Sequence, residues 1–389
     1  MLFTDNEQVH HSSFIDAFTR LTTSHAVTIV EYIWIGGSGI DIRSKSKTYT
    51  KEINTINDID EWNFDGSSAY LASPENSEII LKPEAMYPDP FRGNPHKLVL
   101  CSTYDLHRKP TITNFRHFAQ DILNKHFQEN EPTFGIEQEY VMKKSIGTLT
   151  HSSIPLGWPI GGYPSKQGPY YCSVGNKFVY GREIMETHYK VCLLAGLHIY
   201  GTNSEVMPGQ WEFQIGTCKG IETADELWMA RYLLLRVGEY YNVDIDFSPK
   251  VINGEWNGSG CHTNYSNTKT MNDCNMQNIL QQISLLEKEH KRVIELYGED
   301  NHLRLTGRNE TSSYDVFTWG VANRSASIRI PLNTQCNGRG YYEDRRPSSN
   351  MDPYLVCAVL YSITLLDNYG LDEIEAHYAK FKENKRNIN

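Results

Sequence analysis

The pattern of apolar residues is strand-like in the first part of the chain. Apolar and β-branched residues fill positions 27–35, a Gly-Gly-Ser-Gly turn follows at 36–39, and a second apolar run fills 97–101. Short runs bounded by glycine-rich turns are typical of strands. Residues 27–108 are therefore predicted to form a small β-rich domain. The Lys109-Pro110 step interrupts the pattern, so a domain boundary is expected near 108–112.

Helical periodicity is prominent in the rest of the chain. Thr113 is expected to cap a first helix, with apolar residues at 115, 118, 122 and 123 on one face. Further helices are predicted at 181–195, 223–239, 275–297 and 353–366, and strand-like stretches alternate with them. This organisation predicts an α+β protein whose second domain covers residues 113–389. The polar tail after the last predicted helix is expected to be partly disordered.

The residues before position 27 also have a helical spacing of apolar side chains. Phe14, Phe18 and Leu21 recur at intervals of four and three. We expect residues 1–26 to form a helical segment that packs on a neighbouring subunit.

Two glutamates stand one residue apart in an otherwise apolar strand-like run, Gly-Ile-Glu-Gln-Glu-Tyr at 135–140. Side chains alternate along a strand, so Glu137 and Glu139 would project from the same face and repel each other. An isolated pair of this kind is more often a solvent-facing edge than a site. The interpretation as a site depends on further charged residues nearby.

A second pair of glutamates lies in the run Asn-Ser-Glu-Val-Met-Pro-Gly-Gln-Trp-Glu-Phe-Gln at 203–214. If Pro208-Gly209 forms a tight hairpin turn, the register sets Glu205 opposite Glu212. Like charges directly across a ladder are destabilising. Four glutamates in such pairs therefore predict a bound cation.

Other polar residues point to the kind of cation. His262 lies in a glycine-rich run, and Glu343 would share a strand face with Arg345. Several glutamates with one histidine form a hard, oxygen-rich ligand set that suits Mg²⁺ or Mn²⁺ better than zinc or copper. Any one of these residues alone is more often structural than functional.

Four arginines add a preference for phosphate chemistry, namely Arg304, Arg324, Arg329 and Arg345. Arg324 and Arg329 are five residues apart, so a regular strand would direct them to opposite faces. Both can reach one site only if a bulge or bend lies between them.

Composition limits the partners of the protein. The net charge of −10 argues against a general binder of nucleic acid, and any nucleotide is expected to be small and metal-bound. The chain has no run of about twenty apolar residues and its start has no basic leader, so we expect a cytoplasmic protein without a membrane segment. The eight cysteines are scattered, which is typical of reduced thiols, and a zinc site built on them is not expected.

The chain resembles the glutamine synthetases of the eukaryotic type from about residue 28 to about residue 353. Seven segments in order carry this resemblance: Glu-Tyr-Ile-Trp-Ile at 31–35, Trp-Asn-Phe-Asp-Gly-Ser-Ser at 62–68, Gly-Ile-Glu-Gln-Glu-Tyr at 135–140, Gln-Gly-Pro-Tyr-Tyr-Cys at 167–172, Trp-Asn-Gly-Ser-Gly-Cys-His-Thr-Asn at 256–264, Val-Ala-Asn-Arg-Ser-Ala-Ser-Ile-Arg-Ile-Pro at 321–331, and Glu-Asp-Arg-Arg-Pro at 343–347. The resemblance implies an N-terminal β-grasp domain and a glutamine synthetase/guanido kinase-type catalytic domain. It also implies a homo-oligomer with active sites between subunits, expected to be a decamer of two pentameric rings.

The resemblance implies an ATP-dependent ligation of ammonia to the γ-carboxylate of L-glutamate through γ-glutamyl phosphate. Two or three Mg²⁺ or Mn²⁺ ions are implied per site, with one bound by Glu139, Glu205 and Glu212 and another by Glu137, His262 and Glu343.

The implied substrate-binding residues for glutamate are Asn257, Gly258, Arg304, Arg324 and Arg345. The implied ammonium pocket consists of Asp65 as the base, Ser68, Tyr171 and the flap residue Glu310. The implied nucleotide-binding residues are Glu137, Asn264, Ser266, Arg329 and Tyr341. Arg324 and Arg345, with Arg329, are also implied to neutralise the transferred phosphoryl group.

The chain departs from the family pattern at several positions. These are Gly36 for Asp, Ser165-Lys166 for Gly-Pro, Thr133 for Trp, Thr217 for Pro, Arg308-Asn309 for Phe-His, and Asn272 near the place of a basic residue. Several of these positions border the nucleotide pocket in the family, whereas every implied metal and glutamate position is retained. We therefore expect adenine to be held less tightly and catalysis to be kept, with Tyr341 packing on the base.

Three functions of different classes remain open at this point. The first is glutamine synthesis, the second is ligation of glutamate to a larger amine, and the third is a non-catalytic structural or filament-forming role. Six clustered ligands are costly to keep without a function, which disfavours the third. The implied ammonium pocket favours a small cationic substrate, since an alkylamine would need room and an apolar lining.

Overall fold

The computed structural model describes residues 27–145, 153–159, 163–164, 166–309 and 311–388. In this part of the chain the strands form two sheets, one of five strands and one of nine. The strands are β1 (Thr28–Ile35), β2 (Ile42–Tyr49), β3 (Trp62–Asp65), β4 (Glu78–Pro88), β5 (Lys97–Tyr104), β6 (Thr133–Ser145), β7 (Ser153–Pro155), β8 (Ile199–Ser204), β9 (Gln210–Lys219), β10 (Asp244–Asp246), β11 (Cys261–Ser266), β12 (Trp319–Val321), β13 (Ile328–Ile330) and β14 (Tyr342–Asp344). The predicted N-terminal helical segment, residues 1–26, lies outside the described residues.

The five-stranded sheet has the order β2-β1-β5-β4-β3, with β1 and β5 parallel and the other neighbours antiparallel. Its inner strand β1 is buried on both faces. Val30, Tyr32 and Trp34 lie in a small core of this sheet, while Ile33 lies in the main core of the molecule. Burial on both sides explains the continuous apolar run of this strand. The sheet agrees with the expected β-grasp domain, and the boundary at 108–112 stays a prediction.

The nine-stranded sheet places β6 at its centre. The path is β12-β13-β14-β11-β6-β9-β8, and both β7 and β10 also pair with β6. All the pairs are antiparallel except β12 with β13. Burial alternates along β6, where Phe134, Ile136, Gln138 and Tyr140 are buried and the residues between them are partly open. One face of the strand therefore joins the core, and the other is free to form a site.

Ten α-helices lie among and after these strands in the described part of the chain, and the longest of them packs on the core face of the nine-stranded sheet, against β6 and β9. They are α1 (Phe115–Asn124), α2 (Phe127–Asn130), α3 (Arg182–Leu194), α4 (Glu222–Tyr241), α5 (Thr268–Asn272), α6 (Met276–Lys288), α7 (His290–Val293), α8 (Leu332–Asn337), α9 (Pro353–Leu365) and α10 (Leu371–Ile388). The helices predicted at 181–195, 223–239 and 353–366 are confirmed as α3, α4 and α9. The one predicted at 275–297 divides into α6, α7 and a 3₁₀ turn. Among the helices of the described ranges, none combines the length and the apolar character that crossing a bilayer requires.

Two local predictions are corrected. The cap of α1 is Asn114 rather than Thr113, because the Asn114 side chain accepts a hydrogen bond from the backbone N–H of His117. The tail expected to be partly disordered is the helix α10. Its apolar residues Leu371, Ile374 and Tyr378 are buried at helical spacing, and Phe381 packs one turn further on. The polar composition of the last residues hid this stripe.

Candidate active site and metal centre

A polar cavity of about 210 Å³ opens on the uncovered face of the nine-stranded sheet. Glu137 and Glu139 of β6 both line it, as the strand period predicts. Gln138 between them points to the opposite face, where it accepts a hydrogen bond from Arg231 at 2.8 Å. The Glu-Gln-Glu run therefore contributes to both faces of the sheet, with its two carboxylates toward the cavity and its amide in the core.

The predicted hairpin register is wrong, although both of its glutamates reach the cavity. In the observed ladder Asn203 pairs with Glu212, and the like-charged pair directly across strands is Glu139 with Glu212. The connection is longer than two residues because β8 ends at 204 and β9 begins at 210. Gly209 within it has a φ of 73° and lies against the backbone of Leu156, where a Cβ would meet the Leu156 nitrogen at 2.8 Å. A tight two-residue turn is replaced by a loop that packs on its surroundings.

Three neighbouring strands bring together Glu137, His262 and Glu343. His262 of β11 pairs with Glu137 of β6, and Asn264 of the same strand pairs with Glu343 of β14. The His262 Nδ1 atom lies 3.5 Å from a Glu137 carboxylate oxygen and 3.6 Å from a Glu343 oxygen. One ligand atom from each of these side chains lies within 4.8 Å of the others, a spacing that one metal ion can span.

The charges of the cluster are poorly compensated by the protein itself. Removal from water raises the pKa of Glu139 to about 7. Removal from water and the charge of Glu139 raise the pKa of Glu205 to about 8. Burial and the charge of Glu137 raise the pKa of Glu212 well above its ordinary value, and burial lowers that of His262. Crowded, buried carboxylates beside one neutral imidazole are suitable ligands for a hard divalent cation, because its positive charge would stabilise their ionised forms.

Arginines surround the carboxylates on one side. Arg345 donates a hydrogen bond of 2.7 Å to Glu343, which confirms that these two residues share a face. Arg329 of β13 also forms an ion pair with Glu343. Arg324 lies in the turn before β13, outside the regular strand, so both it and Arg329 line the cavity. The bend required by their spacing is thus present.

The implied glutamate-binding residues lie at the same cavity. Asn257 and Gln167 hold each other through reciprocal hydrogen bonds of 2.8 Å. A side chain at Gly258 would meet the Pro249 carbonyl oxygen at 2.3 Å, so the backbone here must be bare. Arg304 is buried and donates to the carbonyl groups of residues 345–347, which fixes its guanidinium at the cavity wall.

The implied ammonium residues divide between two places. Tyr171 lines the cavity. Asp65 and Ser68 lie at the exposed end of β3, outside the lining of this chain's own cavity, and the Ser68 hydroxyl donates to Asp65 at 2.8 Å. Hydrogen bonds from Ser67 and then Ser68 lower the pKa of Asp65, so its carboxylate is ionised at neutral pH. Glu310 lies outside the described residues, between Asn309 and Thr311, which both line the cavity.

The implied nucleotide residues lie on one side of the carboxylates. The Asn264 side chain donates a 2.9 Å hydrogen bond to Glu137. Ser266, at the end of β11, pairs with Thr133 at the start of β6. Partial burial, and then the charge of Glu137, raise the pKa of the exposed Tyr341, so this ring lies near the same carboxylates.

Sequence reasoning missed three amides that orient the carboxylates. Asn203 donates to Glu205 at 2.8 Å, Gln210 to Glu139 at 3.2 Å, and Gln214 to Glu212 at 2.7 Å. A signal was present in the alternation Gln-x-Glu-x-Gln over 210–214, which places three polar side chains on one strand face. Such amides fix the rotamers of ligands and are part of a metal site.

A cavity with clustered carboxylates, one histidine and a rim of arginines defines a class of protein, the metal-dependent enzymes that act on phosphate and carboxylate groups. The comparisons narrow this class. The family model "Glutamine synthetase, catalytic domain" matches residues 114–284 and 303–372. A chloroplastic glutamine synthetase of Zea mays is 51% identical over 355 residues, which are 90% of this chain and 82% of the relative.

A second relative has a similar sequence identity to this chain. Glutamine synthetase cytosolic isozyme 2 of Vitis vinifera is 50% identical over 341 residues, which are 87% of this chain and 94% of the relative. The chain belongs to the glutamine synthetase family, the enzymes that ligate ammonia to glutamate. The resemblance and the α+β fold class with this catalytic domain are confirmed.

Proposed function

We propose that the enzyme uses ATP to join ammonia to the γ-carboxylate of L-glutamate, through γ-glutamyl phosphate, and releases glutamine, ADP and phosphate. The observation that supports this most directly is the cavity itself, in which carboxylates from two strands and one loop, with a histidine from a third strand, face four arginines. Both steps of the reaction gather negative charge at one place. A site with preorganised positive groups stabilises that charge in the transition state.

The carboxylates would hold the divalent ions. We assign Glu139, Glu205 and Glu212 to one Mg²⁺ or Mn²⁺ ion and Glu137, His262 and Glu343 to another. When bound, the ions neutralise the clustered carboxylates and the phosphates of ATP. The amides of Asn203, Gln210 and Gln214 keep the ligand side chains in place.

The arginines would divide between the two substrates. Arg304, held by three carbonyl groups, offers its remaining donors to the carboxylate of glutamate, together with Asn257 and the bare backbone at Gly258. Arg324, Arg329 and Arg345 lie on the side of Glu343 and would neutralise the transferred phosphoryl group. A planar guanidinium suits both carboxylate and phosphate oxygens.

Ammonium must lose a proton before it attacks the acyl phosphate, and Asp65 is the proposed base. Its lowered pKa keeps the carboxylate ionised, and because Asp65 lies outside the lining of this chain's own cavity, we infer that another subunit supplies it. We therefore propose a homo-oligomer in which Asp65 and Ser68 of one subunit complete the pocket of Tyr171 and Glu310 in the next. A decamer of two pentameric rings and a cytoplasmic location remain part of this proposal.

The proposal is tested by measuring phosphate release from ATP, Mg²⁺ and glutamate with different amines. Ammonium is compared with methylamine, ethylamine and a polyamine, for the wild type and for Asp65→Ala. The matched control is Glu52→Ala, which removes an exposed carboxylate from a loop of the same sheet. We expect ammonium dependence in the wild type and the control, and a loss of at least about a hundredfold in Asp65→Ala.

Each other outcome has a definite meaning. A preference for a larger amine would replace glutamine synthesis with the ligation of glutamate to that amine. No turnover with any amine by a folded oligomer would favour a non-catalytic role. Normal turnover by Asp65→Ala would leave the ligase activity in place but remove the proposed base.

A further inference from the structure

A second cluster of ligand-type side chains lies away from the active site, formed by His198, Cys218 and Glu226. We call it the His-Cys-Glu cluster. One ligand atom from each side chain lies within 4.8 Å of the other two. Cys218 and Glu226 are buried, and His198 is exposed. The cluster therefore has a closed interior side and one side that is open to solvent.

Three rigid elements hold these side chains. His198 immediately precedes β8, Cys218 lies near the end of β9, and Glu226 lies in the second turn of α4. The Glu226 carboxylate is fixed at both oxygens, because Oε2 accepts the backbone N–H of His198 at 2.9 Å and Oε1 lies 2.7 Å from His198 Nδ1. The backbone of Cys218 is fixed by Thr223, whose hydroxyl donates to its carbonyl oxygen at 3.1 Å.

A β-bulge directs Cys218 to this cluster. On β9, Gly216 pairs with Gly135, and Cys218 pairs with Phe134. Thr217 between them therefore has no partner residue on β6. The extra residue shifts the alternation, and Cys218 joins the face of Ile215 and Phe213 instead of the face of Glu212. The cluster thus lies on the helix-covered face of the sheet. It is six residues, about 20 Å along a strand, from the nearest active-site carboxylate on β9.

We propose that the His-Cys-Glu cluster binds one Zn²⁺ ion per chain, with Nδ1 of His198, Sγ of Cys218 and a carboxylate oxygen of Glu226 as ligands. Mixed nitrogen, sulfur and oxygen ligands with an open fourth position are a typical tetrahedral zinc arrangement. A thiolate and a carboxylate balance the two charges of the ion. On binding, the thiol proton passes to the buffer, and His198 gives up the Nδ1 hydrogen that it donates to Glu226, so that the neutral imidazole carries its proton on Nε2.

The backbone N–H of His198 would not bind the ion itself, but it orients one of the proposed ligands, which supports the zinc assignment. It holds one oxygen of Glu226, which leaves the other oxygen to face the histidine ring. Fixed ligands of this kind raise metal affinity. Such an ion would tie the β8–β9 hairpin, which includes Glu212, to helix α4. The scattered cysteine spacing did not predict it, because the ligands come from separate elements and only one of them is a cysteine.

The test uses Co²⁺ as the spectroscopic probe for zinc in the intact, purified protein. The protein is stripped with a chelator and returned to saturating Mg²⁺, which occupies the carboxylate sites, and Co²⁺ is then titrated. Co²⁺ bound to a thiolate gives a charge-transfer band in the near ultraviolet. The implied ligands of the active-site ions are carboxylates and one imidazole, so they do not give this band. We expect it to saturate at one Co²⁺ per chain and to be abolished by one equivalent of Zn²⁺.

Variants decide which thiol is responsible. Cys218→Ser and His198→Ala should both abolish the band, and Cys172→Ser, which removes an exposed thiol, should leave it unchanged. The exposed position of His198 makes His198→Ala the safer variant, and it decides the matter if Cys218→Ser does not fold. A wild-type titration without the band, or a band that survives in either cluster variant, would overturn the proposal.

Discussion

Glu212 is buried among other carboxylates, and this position stabilises its neutral form. It lies directly across the ladder from Glu139, and burial with the charge of Glu137 raises its pKa. Without divalent ions, Glu212→Gln should therefore raise the melting temperature by about one degree, equivalent to about 1 kcal/mol, because repulsion across the ladder is removed. The same variant should lose at least about a hundredfold in activity, since a metal ligand is replaced by an amide.

The measurement is a thermal melt in chelator beside a phosphate-release assay in Mg²⁺. Glu186→Gln, which changes an exposed glutamate of α3, is the matched control and should alter neither quantity. A Glu212→Gln protein that is less stable than the wild type in chelator would show that the carboxylate serves the fold rather than the ion.

Asp352 links stability to pH at a place outside the active site. It caps α9 by accepting the backbone N–H of Tyr354 at 2.8 Å, and burial raises its pKa to about 7 from the ordinary 3.8. The folded state thus binds this proton more tightly than the unfolded state does. Its stabilising contribution is complete below about pH 4 and is lost as the pH rises through about 7.

Asp352→Asn should remove that loss. An asparagine keeps the cap and cannot ionise, so at pH 8 the variant should be more stable than the wild type by on the order of 1 to 2 kcal/mol. The difference should be smaller at pH 5 and should vanish only near pH 4, where both the folded and the unfolded wild type bind the proton. Thermal melts at fixed protein concentration from pH 5 to 8 measure this difference, and parallel pH profiles would contradict the assignment of the raised pKa to Asp352.

At the scale of elements, two departures from the family pattern lie at the ends of adjacent strands. Thr133 begins β6, and Thr217 is the bulged residue of β9, within 3.7 Å of the position a Cβ would take on Gly135. The Thr133 hydroxyl donates a hydrogen bond of 3.0 Å to the carbonyl oxygen of Glu131. Its side chain has no aromatic ring that could stack on a base. We therefore keep the hypothesis that adenine is held weakly.

The variant Thr133→Trp tests this hypothesis by restoring the aromatic residue. An aromatic contact is worth about 1 kcal/mol, so the KM for ATP should fall several-fold while kcat stays within about twofold. Thr133→Val, which has the size of threonine, should leave the KM unchanged. A wild-type affinity for ATP that Thr133→Trp does not improve would argue that these positions do not contact the base.

The elements also show what periodicity can and cannot predict. The alternation of β6 correctly put Glu137 and Glu139 on one face, because a side-chain period of two is a local property. The register of the next hairpin was wrong, because it depends on how the loop around Gly209 packs against Leu156, a contact distant in sequence. Helix α10 was missed because its buried stripe ends at Phe381, and the charged residues after it dominate the composition.

At the scale of the whole molecule, the residues proposed for the reaction lie in two separate places of one chain. The metal-binding carboxylates and the arginines meet in a single cavity, whereas Asp65 lies exposed at the end of β3 in the other sheet and is not part of that cavity's lining. The proposed site would be complete when a second chain brings its own Asp65 to the cavity. This separation predicts that two inactive variants can repair each other.

Asp65→Ala and Glu205→Ala should each be inactive alone, since one lacks the proposed base and the other a proposed metal ligand. When the two chains are co-expressed with different tags and purified through both, each site draws its base from one subunit and its metal ligands from the next. Random assembly then gives both intact groups in about a quarter of the sites, so about a quarter of wild-type activity should return. Two variants of the same cavity, Glu205→Ala with Glu212→Gln, should restore none. Mixed oligomers that stay inactive would contradict a site shared between subunits.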